Sequence, residues 1–366
     1  MKKPRIFKIV RQFLAVSVTI LFCVFILEVG LRFLGRTPTN VTEGIAEEHQ
    51  DSYRFKKNAQ KAIRWPSYSY EIYTNSYGFR DKEVGERNIN GKLYHVFLGA
   101  SDVFGNGVNF ENTFVGIFAE YARGLGHEVL NLAIGGHYFL DQEALLKDFI
   151  RSAPQKPSTI FFCVNALHIP KFDKRNQHIV VKSGHTFEKD GWKLAYVRVM
   201  IGDISSAYCF FRDNVRKLQV RFLNHQFKVE TPEFLNIYAK SNRMYDPETI
   251  KRFQTYLSDF ERFCHLNGME VVFVYLPLSD SFDLTDLLVR LGENPSQYDA
   301  DYYERLMISY CERTNARLIN PTPVLRKYHD EGVKLRFDLD PHFNIFANKV
   351  IGEHLITEFF SKNNPG

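Results

Sequence analysis

The chain has 366 residues, enough to bury a large core in one or two domains, and its 24% of charged residues describes a soluble globular body for most of its length. The net charge of +5 is concentrated at one end: residues 1–36 carry seven Lys or Arg against Glu28, a net of +6, which leaves the other 330 residues at −1. A body that close to neutral excludes the broad basic surface that nucleic-acid binding requires.

Residues 9–34 are apolar except for Arg11, Gln12, Glu28 and Arg32, and with its flanks the uninterrupted centre, 13–27, approaches the ~20 residues that cross a bilayer. One membrane-spanning helix is expected. Lys2, Lys3, Arg5, Lys8 and Arg11 precede it, so the positive-inside bias holds the N-terminus in the cytoplasm and sends the body across a plasma or inner membrane. A cleaved signal peptide is the competing reading, but no small-x-small site follows the apolar run, which favours an uncleaved anchor. Residues 1–36 are thus read as tip and anchor, the polar, aperiodic residues 37–66 as a stalk, and 67–366 as the globular domain. Near its start the alternating aromatics of 68–80 indicate an edge strand and a turn at Gly78.

Short apolar runs at 94–98, 128–132, 159–164, 270–276 and 316–320, each closed by Gly, Asn or Pro, then alternate with helical patterns. The clearest helix carries Phe253, Tyr256, Leu257, Phe260, Phe263 and Cys264 at three- and four-residue spacing and stops at Asn267-Gly268, and another runs from about Tyr302 to Arg313. Strand–helix alternation predicts an α/β fold with a central parallel sheet of about five strands and helices on both sides. The interval 170–246 is too long for a plain crossover and reads as an insertion, with a hairpin pairing 177–181 with 192–196. Within it the basic run from Arg212 to Arg221 is spaced as one solvated helix face. Of the five cysteines Cys23 lies in the span, and Cys163, Cys209, Cys264 and Cys311 lack C-x-x-C spacing, so zinc is not indicated. Cys264 and Cys311, near two helix ends, are read as isolated buried thiols in preference to a disulfide.

The strand ends carry the chemistry. Ser101 follows 94–98 in a turn loosened by Gly105, Gly107 and Asn109. Gly135-Gly136 follows 128–132, Asn165 follows 159–164, and Asp340-Pro-His342-Phe-Asn344 follows the fifth strand. A hydroxyl, a glycine pair, an amide and a histidine with a carboxylate two residues before it, delivered to one sheet edge, match what acyl transfer requires. His137 and His168 lie in the same loops and are read as rim residues. A metal reading of Asp338, Asp340 and His342 offers too few ligands, and no cofactor is expected.

These blocks resemble the SGNH (GDSL-type) hydrolase superfamily over about residues 74–354. The nearest likeness is to a membrane-anchored branch associated with bacterial surface-polysaccharide O-acetylation, whose anchor ends in a Glu/Arg motif and is followed by T-N-S-x-G-F-R (here Thr74 to Arg80) and D-x-H-x-N (here Asp340 to Asn344). The resemblance implies a three-layer flavodoxin-like fold, Ser101 as nucleophile, His342 as general base oriented by Asp340, and an oxyanion hole from Ser101, Gly136 and Asn165. It also implies a serine esterase or O-acyltransferase acting on a carbohydrate or acyl-ester substrate from a periplasmic position, with a membrane partner to supply acyl groups if the reaction is transfer. The chain departs from the family where G-D-S becomes Gly99-Ala100-Ser101 and G-x-N-D becomes Cys163-Val164-Asn165-Ala166. Those losses sustain a second expectation, a scaffold or carbohydrate-binding protein whose chemistry has decayed.

Overall fold

A computed structural model describes residues 3–35, 38, 44–49, 52–65, 68–81, 93–153, 155–177, 179–223, 231–278, 281–337 and 340–361. Helix α1 (Lys3–Phe33) is long and apolar enough over Val10–Phe33 to cross a membrane. Four short strands follow. β1 (Ala46–His49) pairs antiparallel with β2 (Ser52–Phe55), and β3 (Gln60–Arg64) pairs antiparallel with β4 (Ser69–Tyr73). The described residues of 37–66 are therefore not a plain polar stalk: Ile45, just before β1, and Tyr53, Phe55 and Ile63 within β2 and β3 are buried in the main core. Their charged neighbours occupy the alternate, outward positions, so mean polarity hides a half-buried strand pattern. Strand β4 lies where the aromatics of 68–80 indicate, in a separate two-stranded sheet and not at the edge of the central one.

The central sheet begins with β5 (Tyr94–Leu98), which turns into the short helix α2 (Ser101–Phe104) and then α3 (Phe114–Gly124). β6 (Glu128–Asn131), α4 (Phe139–Ser152) and β7 (Thr159–Asn165) follow. Between β7 and the next central strand lie β8 (Ile179–Lys182), β9 (His185–Glu188), α5 (Trp192–Ile204), α6 (Ser206–Leu223), α7 (Thr231–Tyr238) and α8 (Pro247–Leu266). The chain ends with β10 (Glu270–Leu276), α9 (Leu284–Leu291), α10 (Tyr302–Thr314), β11 (Arg317–Ile319), α11 (Thr322–Asp330), the hairpin β12 (Arg336–Phe337) and β13 (Asp340–Phe343), and α12 (Ile345–Phe360).

All pairs in the five-stranded sheet are parallel, in the order β11-β10-β7-β5-β6. This is the flavodoxin-like order, in which the chain reverses direction across the sheet between its first and third strands, here β5 and β7. Alternation in β7 builds both layers. Phe161 stacks on Phe97 at 4.4 Å and meets Phe359 of α12 at 4.9 Å, while Phe162 turns the other way onto Phe260 of α8 at 4.5 Å and Phe139 of α4 at 5.2 Å. β5, β7 and β10 after its first residue are buried along their length, which is why they read as near-continuous apolar runs.

Within the insertion, β8 pairs with β9 and not with 192–196, which form the first turns of α5. Ser183 and Gly184 both have positive φ (51° and 85°), the two-residue turn whose twist suits a hairpin. Cys264 and Cys311 are buried free thiols.

Candidate active site

Ser101 opens α2 directly beyond the carboxyl end of β5, and Asn165 is the last residue of β7, so the two flank the position where the strand order reverses. The turn under Ser101 is tight: a Cβ on Gly99 would lie 2.1 Å from Val103 Cγ2. Its far side is held by two buried polar side chains. Asn131 Nδ2 donates to the Val103 carbonyl at 3.0 Å. Arg80, fully buried, donates to the carbonyls of Phe104 (2.6 Å), Gly105 (2.7 Å), Val108 (2.5 Å) and Glu71 (3.1 Å), with its guanidinium over the Phe104 ring at 4.8 Å.

The segment Thr74 to Arg80 exists to deliver that arginine. Thr74 Oγ1 donates to the Lys56 carbonyl (2.6 Å) and accepts from Ala59 N–H (2.9 Å), closing the β3–β4 hairpin. Asn75 Oδ1 accepts from the N–H groups of Tyr77 and Phe79, and Gly78 takes φ +85° where a Cβ would lie 2.5 Å from the Phe55 carbonyl oxygen. Phe79 is buried, and Arg80 is aimed under the loop that follows Ser101.

His342 and Asp340 share β13, which packs against α2. The Asp340 carboxylate accepts from His342 Nδ1, from His342 backbone N–H at 2.9 Å, and from the Tyr68 hydroxyl at 2.8 Å. Burial pushes the Asp340 carboxyl up, yet the bonds and charge from His342 and the Tyr68 hydroxyl outweigh it and hold the group below the usual carboxylate range. Tyr68 lies on the Phe337 ring at 4.5 Å, and Phe337 packs so closely on the loop after α2 that a Cβ on Gly107 would meet its ring at 2.6 Å. Tyr68, β12–β13 and that loop form one interlocked unit.

Asn165 is buried, and its side-chain orientation is fixed: Oδ1 accepts from His168 N–H at 3.1 Å, so Nδ2 points toward α2, where it donates to Asp102 Oδ2 at 3.3 Å. Gly136 follows β6 with φ +82° and is exposed. Its carbonyl accepts from Asn176 Nδ2 at 2.7 Å, the Gly135 carbonyl accepts from the Tyr53 hydroxyl, and a Cβ on Gly136 would lie 2.7 Å from that hydroxyl. Ile134 N–H donates to the Gly99 carbonyl at 3.3 Å, tying the glycine block to the turn beneath Ser101.

Asp102 is the site residue that sequence reasoning missed, since nothing in its spacing marks it. Burial pushes its carboxyl up, and the Asp340 charge adds to this, while the His342 charge and the Asn165 amide oppose it. The same burial, with Asp102 beside it, drives the Cys163 thiol well above its ordinary value, so Cys163 is an inert neutral group under the site. His137 and His168 are not rim residues. Both are buried; His137 Nε2 is 2.8 Å from the Tyr53 carbonyl oxygen, and His168 packs edge-on against Tyr138 and Phe139. Asp338 lies outside the described residues, and among the described residues no group of three or more His, Cys, Asp or Glu is arranged to hold a metal ion.

No family model and no curated protein matches the chain. Among solved structures it is similar to a member of the lipolytic protein G-D-S-L family from Veillonella parvula DSM 2008 (11% identity, TM-score 0.41, covering 74% of this chain and 99% of that one). It is also similar to the psychrotrophic esterase EstA from Pseudoalteromonas sp. (12%, 0.39, 75% and 100%) and to the acetyl xylan esterase AlAXEase (12%, 0.40, 73% and 100%). At this identity and these scores the likeness carries no residue's role across to this chain.

Proposed function

We propose that the chain is a membrane-anchored serine esterase or O-acyltransferase acting on an ester-bearing carbohydrate, with Ser101 as nucleophile, His342 as general base and Asp340 as the carboxylate that orients it. The observation that carries this reading is the chain Tyr68–Asp340–His342 on a strand packed against the helix that Ser101 opens. Asp340 accepts from Nδ1 of His342, so the neutral imidazole carries its basic lone pair on Nε2. His342 Nε2 takes the Ser101 hydroxyl proton as the oxygen attacks the ester carbonyl. Ser101 N–H, Gly136 N–H and Asn165 Nδ2 stabilise the resulting oxyanion. Collapse expels the alcohol, which takes the proton from His342, and the acyl-serine then passes to water or to a sugar hydroxyl.

Asn165 is oriented for this by the His168 backbone, but its amide is occupied by Asp102, which must yield it to the oxyanion. Ala100 offers no carboxylate to the nucleophile turn; Asn131 holds the Val103 carbonyl there, and Arg80, itself part of the family's T-N-S-x-G-F-R motif, holds the loop beyond it. The anchor is α1, crossing the membrane with the N-terminus cytoplasmic, the 37–66 strands leading into the body and 170–246 inserted in it.

The test is labelling of the full chain by a fluorophosphonate, which reacts with an activated serine only. Wild type is expected to label; Ser101→Ala and His342→Ala each abolish labelling and ester turnover by a similar large factor, because nucleophile and base act as one unit. Asp340→Asn keeps a residual rate, since it disturbs only the tautomer and aim of His342. An unlabelled wild type that still binds acetylated polysaccharide would replace this reading with the decayed scaffold.

A further inference from the structure

Glu28 lies in α1, where a bare carboxylate facing acyl chains would be costly. It is not bare. Its oxygens accept from Arg32 Nε (2.6 Å), Ser205 Oγ (3.1 Å), Ser206 N–H (3.1 Å) and Ala207 N–H (2.8 Å), and Arg32 Nη2 donates to the Ile204 carbonyl (2.6 Å). Glu28 therefore caps the start of α6 and Arg32 caps the end of α5, from a third helix. The Glu/Arg pair is a clamp that seizes the junction where α5 and α6 are bent by 112°.

Each of the two clamped helices carries an exposed apolar stripe beside exposed polar residues such as Lys193, Arg198 and Asn214. Leu194, Val197, Ile201 and Ile204 form one stripe along α5, spaced three or four residues apart, and Phe210, Phe211, Val215 and Leu218 continue it along α6, all exposed. Joined in this way, α6 packs against α1, whose own apolar residues such as Phe13, Leu21 and Phe25 are exposed.

We propose that α5 and α6 lie as a bent amphipathic pair in the boundary between headgroups and acyl chains of the lipid bilayer that α1 crosses, with Leu194, Ile201, Phe210 and Phe211 toward the acyl chains. The proposal rests on the reading of α1 as a span. Depth supports a lipid occupant. Glu28 is five residues from the end of the apolar stretch at Phe33, which at ~1.5 Å per residue sets the junction ~7 Å inside the span's end. Interfacial helices sit ~5–10 Å into that boundary. Trp192, at the start of α5, and the exposed Lys193 and Arg198 suit the headgroup level. The pair also bears on the site: His185 of β9 is 3.2 Å from Asp203 of α5, β8 packs on β1 and β2, and Tyr53 of β2 holds the glycine block. A helix pair fixed in the interface would hold that edge of the site at a set height above the lipid.

The experiment uses the full chain in nanodiscs of phosphatidylcholine and phosphatidylglycerol. In a Trp65→Phe, Trp192→Phe background, single tryptophans are placed by F211W in the stripe, Y121W on the exposed face of α3, and F22W in α1, and quenching by doxyl-labelled lipid is read. F211W is expected to lose most of its emission and Y121W little. F22W reports on the span separately: quenching of F22W with F211W no more affected than Y121W would overturn the proposal while the anchor stands, and an unquenched F22W would overturn the anchor. A photoactivatable lipid on the unsubstituted chain supplies a second measurement. Label on peptides from 192–218 supports the pair's membrane contact, and label confined to residues 1–35, as a protein partner or second copy covering the stripe would give, refutes it.

Discussion

Asp102 takes the amide donor that an oxyanion would need, and its protonation state is set by competition at a single residue. Burial favours the neutral carboxyl, and the His342 charge and the Asn165 amide only partly offset it. The folded state thus raises this group above its unfolded value, so its contribution to stability is full below the ordinary aspartate value and is lost as pH rises through the folded one. Asp102→Asn, which never ionises, is expected to melt at a higher temperature than wild type at pH 8, with the difference vanishing toward pH ~4. Thermal melts of both proteins across that range check it. A difference independent of pH would mean that Asp102 is solvated and plays no electrostatic part in the site.

At the scale of elements, the segment ending in Arg80 and the loop after α2 behave as one part. Arg80→Met keeps the length of the side chain and removes donors from the carbonyls of Phe104, Gly105, Val108 and Glu71 in a buried place. A loss of about 3 kcal/mol is expected in denaturant unfolding, from the upper part of the single-substitution range, because several buried acceptors are orphaned together. Fluorophosphonate labelling should fall as well, although Arg80 touches no reacting atom. Stability within ~0.5 kcal/mol of wild type would show that the loop holds itself.

The same elements explain what could be read in advance. The five central strands were legible because buried strands leave short apolar runs, Ser101 and Asn165 stood out as candidates because each lies at the end of such a run, and His342 because of the D-x-H-x-N pattern around it, on a hairpin that comes after α11 and not directly after a central strand. Of the two hairpins before the central sheet only β4 was, through its aromatics; β1 to β3 were not, since only every second residue (Tyr53, Phe55, Ile63) is buried there and charges fill the gaps. The β8–β9 turn escaped because Ser183-Gly184 lacks the Asn or Asp that usually marks it. Arg80 was visible as part of a motif, but the Phe104, Gly105 and Val108 carbonyls it holds lie 24 to 28 residues away, and the Ser205, Ser206 and Ala207 donors to Glu28 lie 177 to 179 residues away. No local pattern encodes such pairs.

For the whole molecule, the buried histidines set the response to acid. Burial, with help from His127, lowers His95 to about 4, and burial, with help from Lys171 and His137, lowers His168 to about 4. Burial lowers His137 as well, against the pull of Asp141. In the unfolded chain each would take a proton near pH ~6.5. Between that value and about 4 the unfolded state binds more protons than the folded one, so stability falls as pH falls. Asp340 adds a later loss: its carboxyl is depressed in the fold, so its contribution is present above the ordinary aspartate value and disappears as pH drops through the lower folded one. Unfolding free energy in detergent micelles is therefore expected to decline steadily from pH 6.5 to 4, by at most ~1.4 kcal/mol per pH unit for each histidine. His95→Phe should flatten that slope by one histidine's share, because a phenyl ring fits among Phe118, Phe161 and Phe359, which already surround the imidazole edge-on. The substitution removes the 2.9 Å contact with His127, so its stability at pH 8 can fall, and the discriminating quantity is the slope. A wild-type stability that is flat over this range would mean that these histidines protonate in place and that the core around β5 and β7 admits water.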